Sequence, residues 1–133
     1  FCSGKMYYEL LEKQQADKRK DIAIVRVEQL YPTPAAQMQK IVSRYNNAND
    51  IRWVQEEPEN MGAWPYMLRK FRNSDINLNV ISRKESASTA TGYAKQHARQ
   101  QLYIISKSFE TPAGDALKES ITQTTEKMAN IAD

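Results

Sequence analysis

The chain has 133 residues, of which 41% are hydrophobic and 26% are charged, and its formal net charge is +3. This composition is typical of one globular domain and argues against a disordered segment. The basic residues are scattered apart from one cluster at Lys18–Lys20, so they form no stripe for nucleic acid. No apolar run approaches the ~18 residues that a membrane span requires. The single cysteine, Cys2, excludes an intrachain disulfide.

The chain opens on an apolar segment that is followed by a helix and a second apolar run. Phe1–Gly4 is typical of the last half of a buried strand that runs into a tight turn, so we expect the chain to be part of a longer protein. Apolar residues then repeat at helical spacing between Met6 and Leu11. The continuous β-branched run Ile22–Val27 predicts a strand covered on both faces, as in a parallel sheet.

Further strands and helices are predicted downstream of this run. Thr33 is a candidate N-cap with Pro34 at the first helical position, where its missing N–H costs nothing. Strands are predicted at 51–55 and 78–82, and helices at 34–45, 65–72 and 92–109, the last with a buried stripe of Ala94, Ala98, Leu102, Ile105 and Phe109. This series of strand-then-helix units predicts a three-layer α/β/α fold with a mainly parallel sheet.

The end of the chain has a different pattern. The sequence Thr111-Pro-Ala-Gly114 breaks the helix, and we place a hinge at 110–114. An amphipathic helix is predicted at 115–132, because apolar or small residues recur with spacings of four, three, four and three, at Leu117, Ile121, Thr124, Met128 and Ile131. Three interpretations are open: a helix that lies on its own domain, a swapped or oligomeric helix, and a frayed tail.

Candidate functional residues lie in the loops that follow the predicted strands. In an open α/β sheet, ligands bind outside the carboxyl ends of the strands. The loops expected at that edge are 3–5, 29–32, 55–64 and 83–91. We therefore expect these loops to lie close together.

The adjacent carboxylates Glu56 and Glu57 have a catalytic and a structural interpretation. If they continue a strand, their side chains point to opposite faces, which disfavours a paired acid–base site. A structural ion-pair network with Arg26 and Arg83 fits better, with an effector or interdomain contact as the alternative. His97 is the only histidine, which excludes a metal site with two histidine ligands.

The loop 83–91 has a composition suited to an anion. Arg83 and Lys84 follow the predicted strand. Hydroxyl side chains then precede the next helix, at Ser86, Ser88, Thr89 and Thr91. Backbone N–H groups at a helix start, hydroxyls and cations together favour a phosphate group. Ordinary N-capping by a loop rich in Ser and Thr is the alternative.

Five sequence motifs together resemble one enzyme family. They are C-S-G-K-x-Y-Y-E-L-L (2–11), I-V-R-V-E-Q-L-Y-P-x-P (24–34), R-Y-x-N (44–47), W-V-Q-E-E-P-x-N-x-G-A-W (53–64) and S-R-x-x-S-A-S-x-A-T-G (82–92). On these motifs, residues 1–109 resemble the C-terminal domain of the thiamine diphosphate-dependent first component of 2-oxoglutarate dehydrogenase. The residues beyond 109 are not covered by the resemblance.

The resemblance implies a fold and an activity. The fold is like the transketolase C-terminal domain, with Phe1–Ser3 as a central strand between 22–27 and 51–55 and an antiparallel strand supplied by the preceding segment. The whole enzyme is an oxidoreductase of the tricarboxylic acid cycle that acts on an oxo group with a disulfide acceptor. It decarboxylates 2-oxoglutarate on thiamine diphosphate and magnesium, which are held upstream, so this fragment alone is expected to be inactive, with no catalytic residue or metal ligand.

The resemblance also implies partners and a location. A homodimer is expected, together with the lipoyl-bearing succinyltransferase component of the complex, and the compartment is the bacterial cytoplasm or the mitochondrial matrix. Neither nucleic acid nor a membrane is expected as a partner. A free-standing module that senses a nucleotide or acetyl-CoA is the alternative function, and an independent small α/β enzyme using Glu56 or Glu57 is a third.

Two groups of site residues follow. The structural or interface residues are Arg26, Gln55, Glu56, Glu57, Asn60, Gly62 and Trp64. By resemblance, acetyl-CoA or AMP as an effector would be bound by Ser3, Arg19, Arg83 and Lys84. Asn49 stands where some relatives have a lysine, which removes one cation from that site.

Overall fold

The computed structural model describes residues 1–111, so the helix predicted at 115–132 and most of its hinge lie outside the described residues. The elements in chain order are α1 (Lys5–Ala16), α2 (Ala35–Arg44), β1 (Ile51–Pro58), α3 (Trp64–Phe71), β2 (Leu78–Arg83) and α4 (Ala94–Ser108). Each of these elements was predicted from sequence, with similar bounds. No helix within residues 1–111 is long and apolar enough to cross a membrane.

The strands and the first residues of the chain pair in parallel. β1 pairs with β2, and Cys2 forms parallel bridges to Arg26 on one side and to Val54 of β1 on the other. The Cys2 N–H donates to the Val25 carbonyl at 3.0 Å, and the Val27 N–H donates to the Cys2 carbonyl at 2.8 Å. The segment around Cys2 therefore lies between the segment around Arg26 and β1, which is the order that the resemblance implied.

The regular strand predicted at 22–27 is wrong. Within the described residues its pairing is a single bridge, from Arg26 to Cys2. Ala23 and Arg26 are exposed, whereas Val27 is buried. The β-branched run has strand propensity, but its backbone hydrogen bonds to the neighbouring segment are confined to Val25 and Val27 around Cys2, so the bridge does not extend into a ladder.

Helices cover both faces of the sheet. Successive residues of β1 point to opposite faces. Trp53 packs in a cluster with Met67 of α3 and with residues of α2, whereas Val54 packs in a second cluster with Ile104 of α4 and with residues of α1. The described part of the chain is thus a helix–sheet–helix arrangement of the α/β class, as the series of elements predicted.

The stripe predicted to be buried on α4 is wrong over most of its length. Leu102 is 68% exposed, and Ala94 and Ala98 are also exposed. The helix instead buries Ile104 against the sheet, together with Phe109 at its end. α4 carries apolar residues on two faces, and periodicity alone does not decide which of them meets the sheet.

The helix cap predicted at Thr33 is also wrong. α2 begins at Ala35, and its N-cap position is Pro34, without a side-chain cap hydrogen bond. The Thr33 hydroxyl donates to the Leu30 carbonyl at 2.8 Å and lies 2.7 Å from the Tyr66 hydroxyl. It therefore stabilises the turn before the helix and ties it to α3.

Truncation of Trp64 tests the core between the sheet and α3. Trp64 is 6% exposed and belongs to the cluster that contains Trp53 and Met67. We expect Trp64→Ala to lower the free energy of unfolding by about 3–5 kcal/mol, the usual cost of removing a buried aromatic ring. Urea unfolding measures this. The control is Leu68→Ala on the same helix, where the side chain is 47% exposed and the loss should stay below about 1 kcal/mol. Equal losses would contradict the placement of the ring.

Candidate functional site at the carboxyl edge

The loops at the carboxyl ends of the paired segments meet at one edge of the sheet, here called the carboxyl edge. The Asn60 side chain donates to the Ser86 carbonyl at 3.0 Å, and the Ser86 N–H donates back to Asn60 Oδ1 at 3.1 Å. Lys5, after the first turn, lies 3.5 Å from the Glu56 carboxylate. These contacts join three of the loops, so the predicted convergence is confirmed for them.

The Gln55 side chain is the centre of the loop after β1. It is 4% exposed. Its Oε1 accepts from Trp53 Nε1 at 3.0 Å and from the Trp64 backbone N–H at 2.9 Å. Its Nε2 donates to the Pro58 carbonyl at 3.0 Å and to the Met61 carbonyl at 2.8 Å. The amide therefore uses both donors and both acceptor positions, and the loop is folded around it.

Gly62 is required where this loop approaches the Gln55 amide. Its φ is +65°, and a Cβ at this position would lie 3.0 Å from Glu57 Cβ and 3.2 Å from Gln55 Nε2. Only glycine combines this backbone conformation with so close an approach. Close packing against the Gln55 amide therefore explains why the loop motif has glycine at this position.

The two neighbouring carboxylates have different environments, as predicted from their adjacency. The Glu56 side chain is 38% exposed and is paired with Lys5, which also pairs with Glu9 at 3.1 Å. Glu57 is exposed. A catalytic pair is therefore not formed, and Glu56 takes part in a structural ion-pair network.

Arg83 and Arg26 were predicted to pair with these carboxylates, and both predictions are wrong. Arg83 Nε donates to the backbone carbonyl of Glu56, and its Nη2 donates to the Thr89 carbonyl at 2.8 Å. Arg83 thus ties the loop after β2 to the end of β1. Arg26 pairs with Glu28 instead. Sequence reasoning named the cations but could not distinguish carboxylate from carbonyl acceptors.

Glu28 is a residue of this edge that the sequence analysis missed. Its Oε1 accepts from the Gly4 backbone N–H at 2.9 Å and from the Arg26 guanidinium. The Arg26 guanidinium, and after it the Gly4 N–H, hold the pKa of Glu28 below its ordinary value. The spacing in the sequence could have indicated this pair, because Arg26 and Glu28 are two residues apart in an extended segment and their side chains share a face.

Of the four predicted effector residues, Arg19 lies apart from the other three. Ser3 and Lys84 follow paired segments at the carboxyl edge, with Arg83 beside Lys84. Arg19 instead donates to the Asp21 carboxylate at 2.7 Å and to the Phe109 carbonyl at 3.1 Å.

Arg19 lies at the opposite, amino edge of the sheet. Asp21 and Phe109, its partners, line an apolar groove of about 410 Å³ together with Asn49 and Ile51, where β1 begins. The physical reason is the length of α1, whose 12 residues carry the chain about 18 Å from the first turn. Ser3 and Arg19, at the two ends of α1, therefore lie at opposite edges of the sheet.

A cleft of about 400 Å³ lies between the loops after β1 and β2 and the start of α4. Its walls include Glu56, Glu57, Arg83, Thr91 and His97. A small polar molecule could be held here by the guanidinium and the hydroxyl. The two carboxylates oppose a dianion such as a phosphate at the same place.

The carboxyl edge does not fit a magnesium–diphosphate group. Glu28 is bound to Arg26 and Gly4, and Glu56 is paired with Lys5, so neither is free to hold a cation. Within residues 1–111 no group of three or more His, Cys, Asp or Glu side chains is placed to bind a metal ion.

Comparison with known proteins identifies the family. Residues 1–109 match the family described as 2-oxoglutarate dehydrogenase C-terminal, and the chain belongs to this family. The resemblance predicted from the five motifs is confirmed.

Whole enzymes are among the relatives of the chain. It is 42% identical over 114 residues to the 2-oxoglutarate dehydrogenase E1 component of Azotobacter vinelandii, across 81% of this chain and 12% of that protein. It is 45% identical over 107 residues to oxoglutarate dehydrogenase of Buchnera aphidicola subsp. Baizongia pistaciae, across 78% of this chain and 12% of that protein. The E1 component of Haemophilus influenzae is 42% identical over 107 residues, across 78% and 11%. The matched region is thus a small part of each relative.

Replacement of Gln55 tests whether its amide holds the loop. Gln55→Met keeps the volume but leaves the Trp53 and Trp64 N–H groups without their buried acceptor. We expect a loss of about 3 kcal/mol in the free energy of unfolding, since each buried polar group left unpaired costs about 1–3 kcal/mol. Urea unfolding measures the loss. Glu57→Gln, at the exposed neighbouring position, is the matched control and should change stability little. If Gln55→Met leaves the free energy of unfolding unchanged, water has replaced the amide and the amide does not hold the loop.

The pairing of Glu28 predicts a pH dependence. Because its pKa is lowered in the folded state, its contribution to stability is present above the ordinary value of 4.5 and is lost as pH falls through the folded pKa. Arg26→Gln should therefore lose less stability than the parent chain between neutral and acidic pH. Urea unfolding at several pH values checks this, with the exposed Arg72→Gln as a charge-matched control. Parallel curves for Arg26→Gln and the parent would contradict the pairing.

Proposed function

We propose that this chain is the C-terminal, non-catalytic domain of the decarboxylating E1 component of a 2-oxoglutarate dehydrogenase. The family match and the names of the relatives support the choice of enzyme. In the proposal the whole protein is an oxidoreductase of the tricarboxylic acid cycle. It decarboxylates 2-oxoglutarate and passes the succinyl group to the lipoyl disulfide of the succinyltransferase component, in the bacterial cytoplasm or the mitochondrial matrix.

Thiamine diphosphate and magnesium belong to another part of the protein in this proposal. When bound, they supply the electron sink for decarboxylation. Glu28 and Glu56 are committed to Arg26 and Lys5, and within residues 1–111 no three acidic, histidine or cysteine side chains are placed to hold a metal ion, so the described residues do not fit the group. We therefore assign no step of the reaction to this chain.

The main observation in favour of a structural role is that the Gln55 amide has all its hydrogen-bonding positions paired. A group that acts as acid, base or nucleophile needs a free position towards its substrate. At this edge the amide has all its positions in use, and Arg83 donates to two backbone carbonyls. These polar groups brace loops, which suits a surface on which other domains or a second subunit rest.

Tyr31 offers a contact for such a neighbour. It lies in the loop after Arg26 and is 83% exposed. Tyrosine is enriched in protein interfaces because it buries a large ring and keeps a hydroxyl for hydrogen bonding. We assign to it a contact with the active-site domains or the partner subunit of a homodimer.

Activity and assembly of the longer protein test this proposal. The chain alone, given 2-oxoglutarate, thiamine diphosphate and Mg²⁺, should show no turnover above the blank. In the full-length protein, Tyr31→Ala should lower decarboxylation or convert dimers to monomers, as measured by light scattering. Tyr45→Ala, at the opposite edge and 50% exposed, is the matched control and should do neither. Turnover by the isolated chain, or a fully active dimer after removal of residues 1–109, would overturn the proposal.

Effector sensing is the second candidate function, with one observation in its favour. Within residues 1–111, the Arg83 hydrogen bonds use Nε and Nη2 and leave Nη1 unpaired, and Arg83 lines the same cleft as Thr91. Ser3 and Lys84 lie at the same edge, but Arg19 does not. Calorimetric titration of the chain with acetyl-CoA and AMP distinguishes the candidates. Micromolar binding that is lost in Lys84→Ala supports a sensor, whereas no heat supports the structural domain alone.

A further inference from the structure

Two buried acceptor oxygens below the carboxyl edge have no hydrogen-bond partner within residues 1–111. They are Glu56 Oε2, near the end of β1, and Gln100 Oε1, on α4. The Lys5 ammonium lies 3.5 Å from Glu56 Oε2 and balances its charge, but it does not form a hydrogen bond to it. Because buried polar atoms are almost always hydrogen-bonded, both oxygens call for a donor that the described residues do not supply.

The packing of α4 on the sheet places these two oxygens at the same level. His97, Gln100 and Ile104 share one side of α4, because they are three and four residues apart. Ile104 packs in one cluster with Val54 of β1, and α4 runs from the carboxyl edge to the amino edge, antiparallel to the strand. From Ile104 back to Gln100 the helix covers about 6 Å. From Val54 on to Glu56 the strand covers about 6.6 Å in the same direction.

The cleft at the carboxyl edge opens beside this pair of oxygens. Its volume is about 400 Å³, and its walls include Glu56 and also His97, which lies one helical turn from Gln100. Pockets that bind small molecules usually have volumes of about 300–1,000 Å³. Within residues 1–111, the Glu57 carboxylate and the His97 imidazole, which line the same cleft, take part in no ion pair or side-chain hydrogen bond. The cleft therefore offers several acceptors to a ligand.

Arg83 supplies a donor at the same place. Its Nε donates to the Glu56 carbonyl and its Nη2 donates to the Thr89 carbonyl at 2.8 Å, which fixes the guanidinium and leaves Nη1 unpaired within the described part of the chain. Since the guanidinium is bonded to the backbone of Glu56, whose own carboxylate oxygen lacks a donor, the donor and the acceptors lie within the length of one small molecule.

The charges around the cleft favour a ligand that has no net charge. The carboxylates of Glu56 and Glu57 are offset by the cations of Lys5 and Arg83. A ligand of one sign would meet its own sign on one wall. A ligand with both an ammonium group and a carboxylate would pair with both walls, and hydrogen bonds between ionised groups are about twice as strong as those between neutral groups.

We propose that this cleft binds a small α-amino acid. Its ammonium group donates to Glu56 Oε2 and Gln100 Oε1, and its carboxylate accepts from Arg83 Nη1. The α-amino acids carry these two groups on one carbon atom, which matches the closeness of the donor and the acceptors. The proposal does not depend on the function proposed above, and the ligand differs in class from the effectors considered there.

Titration of the full 133-residue chain with three molecules of nearly the same shape tests the proposal. L-alanine carries both charged groups, isopropylammonium lacks the carboxylate, and isobutyrate lacks the ammonium group. NMR spectra of the Arg83 Nε–H and of the Gln100 side-chain amide follow the binding. We expect saturable shifts with L-alanine and a dissociation constant about tenfold lower than that of either analogue, because each analogue loses one charge-assisted pair.

A substitution on α4 identifies the site. Gln100→Leu removes the unpaired oxygen and should weaken the binding of L-alanine and of isopropylammonium about tenfold, while the binding of isobutyrate stays unchanged. Because this oxygen has no partner in the fold, the variant should unfold at the same urea concentration as the parent or at a higher one. Gln96→Leu, at an exposed position of the same helix outside the cleft, is the matched control and should change no dissociation constant.

Several outcomes would overturn the proposal. They are the absence of saturable shifts with L-alanine, equal dissociation constants for the three molecules, and unaltered L-alanine binding in Gln100→Leu. Isopropylammonium that binds as tightly as L-alanine would also overturn it, because the cleft would then be a site for a lone cation, such as a lysine side chain of a neighbouring domain.

Discussion

The buried amide of Gln55 is the interaction on which the carboxyl edge depends. It joins the indole of Trp53 in the sheet to the first N–H of α3 at Trp64, and it holds two carbonyls of the loop between them. A buried amide is stable only when all its positions are paired. This requirement fixes the path of the loop and the close approach of Gly62, and the ring of Trp64 packs into the core where α3 begins.

The pairing order of the sheet supplies the other constraint. Cys2 lies between Arg26 and Val54, so the turns after these residues end at the same edge. Three contacts then hold those turns together: Glu28 accepts from the Gly4 N–H, Lys5 pairs with the Glu56 carboxylate, and Arg83 donates to the Glu56 carbonyl. Groups that bind one another in this way define a firm surface rather than a reactive pocket. These contacts are an argument for the supporting role that we propose for the domain.

The sequence predicted most of the elements because their signals are local. Periodicity places α1, α3 and α4, and strand-to-helix succession predicts the shared edge. The misses all depend on tertiary partners. The segment 22–27 pairs with the segment around Cys2 through a single bridge, α4 turns Ile104 rather than Leu102 to the sheet, and α1 carries Arg19 to the far edge. The spacing of residues along the chain does not determine which of two apolar helix faces packs against the sheet. It also does not determine whether a cationic side chain pairs with a carboxylate or with a backbone carbonyl.

Amide hydrogen exchange tests the central claim most directly. If Gln55 holds the loop as part of the core, the Trp53 indole N–H and the Trp64 backbone N–H open only with global unfolding. The account predicts that both exchange as slowly as the Val54 amide, which is bonded to the Phe1 carbonyl at 2.8 Å. Fast exchange of these two protons while the Val54 amide stays protected would contradict the account, because the loop would then open independently of the sheet.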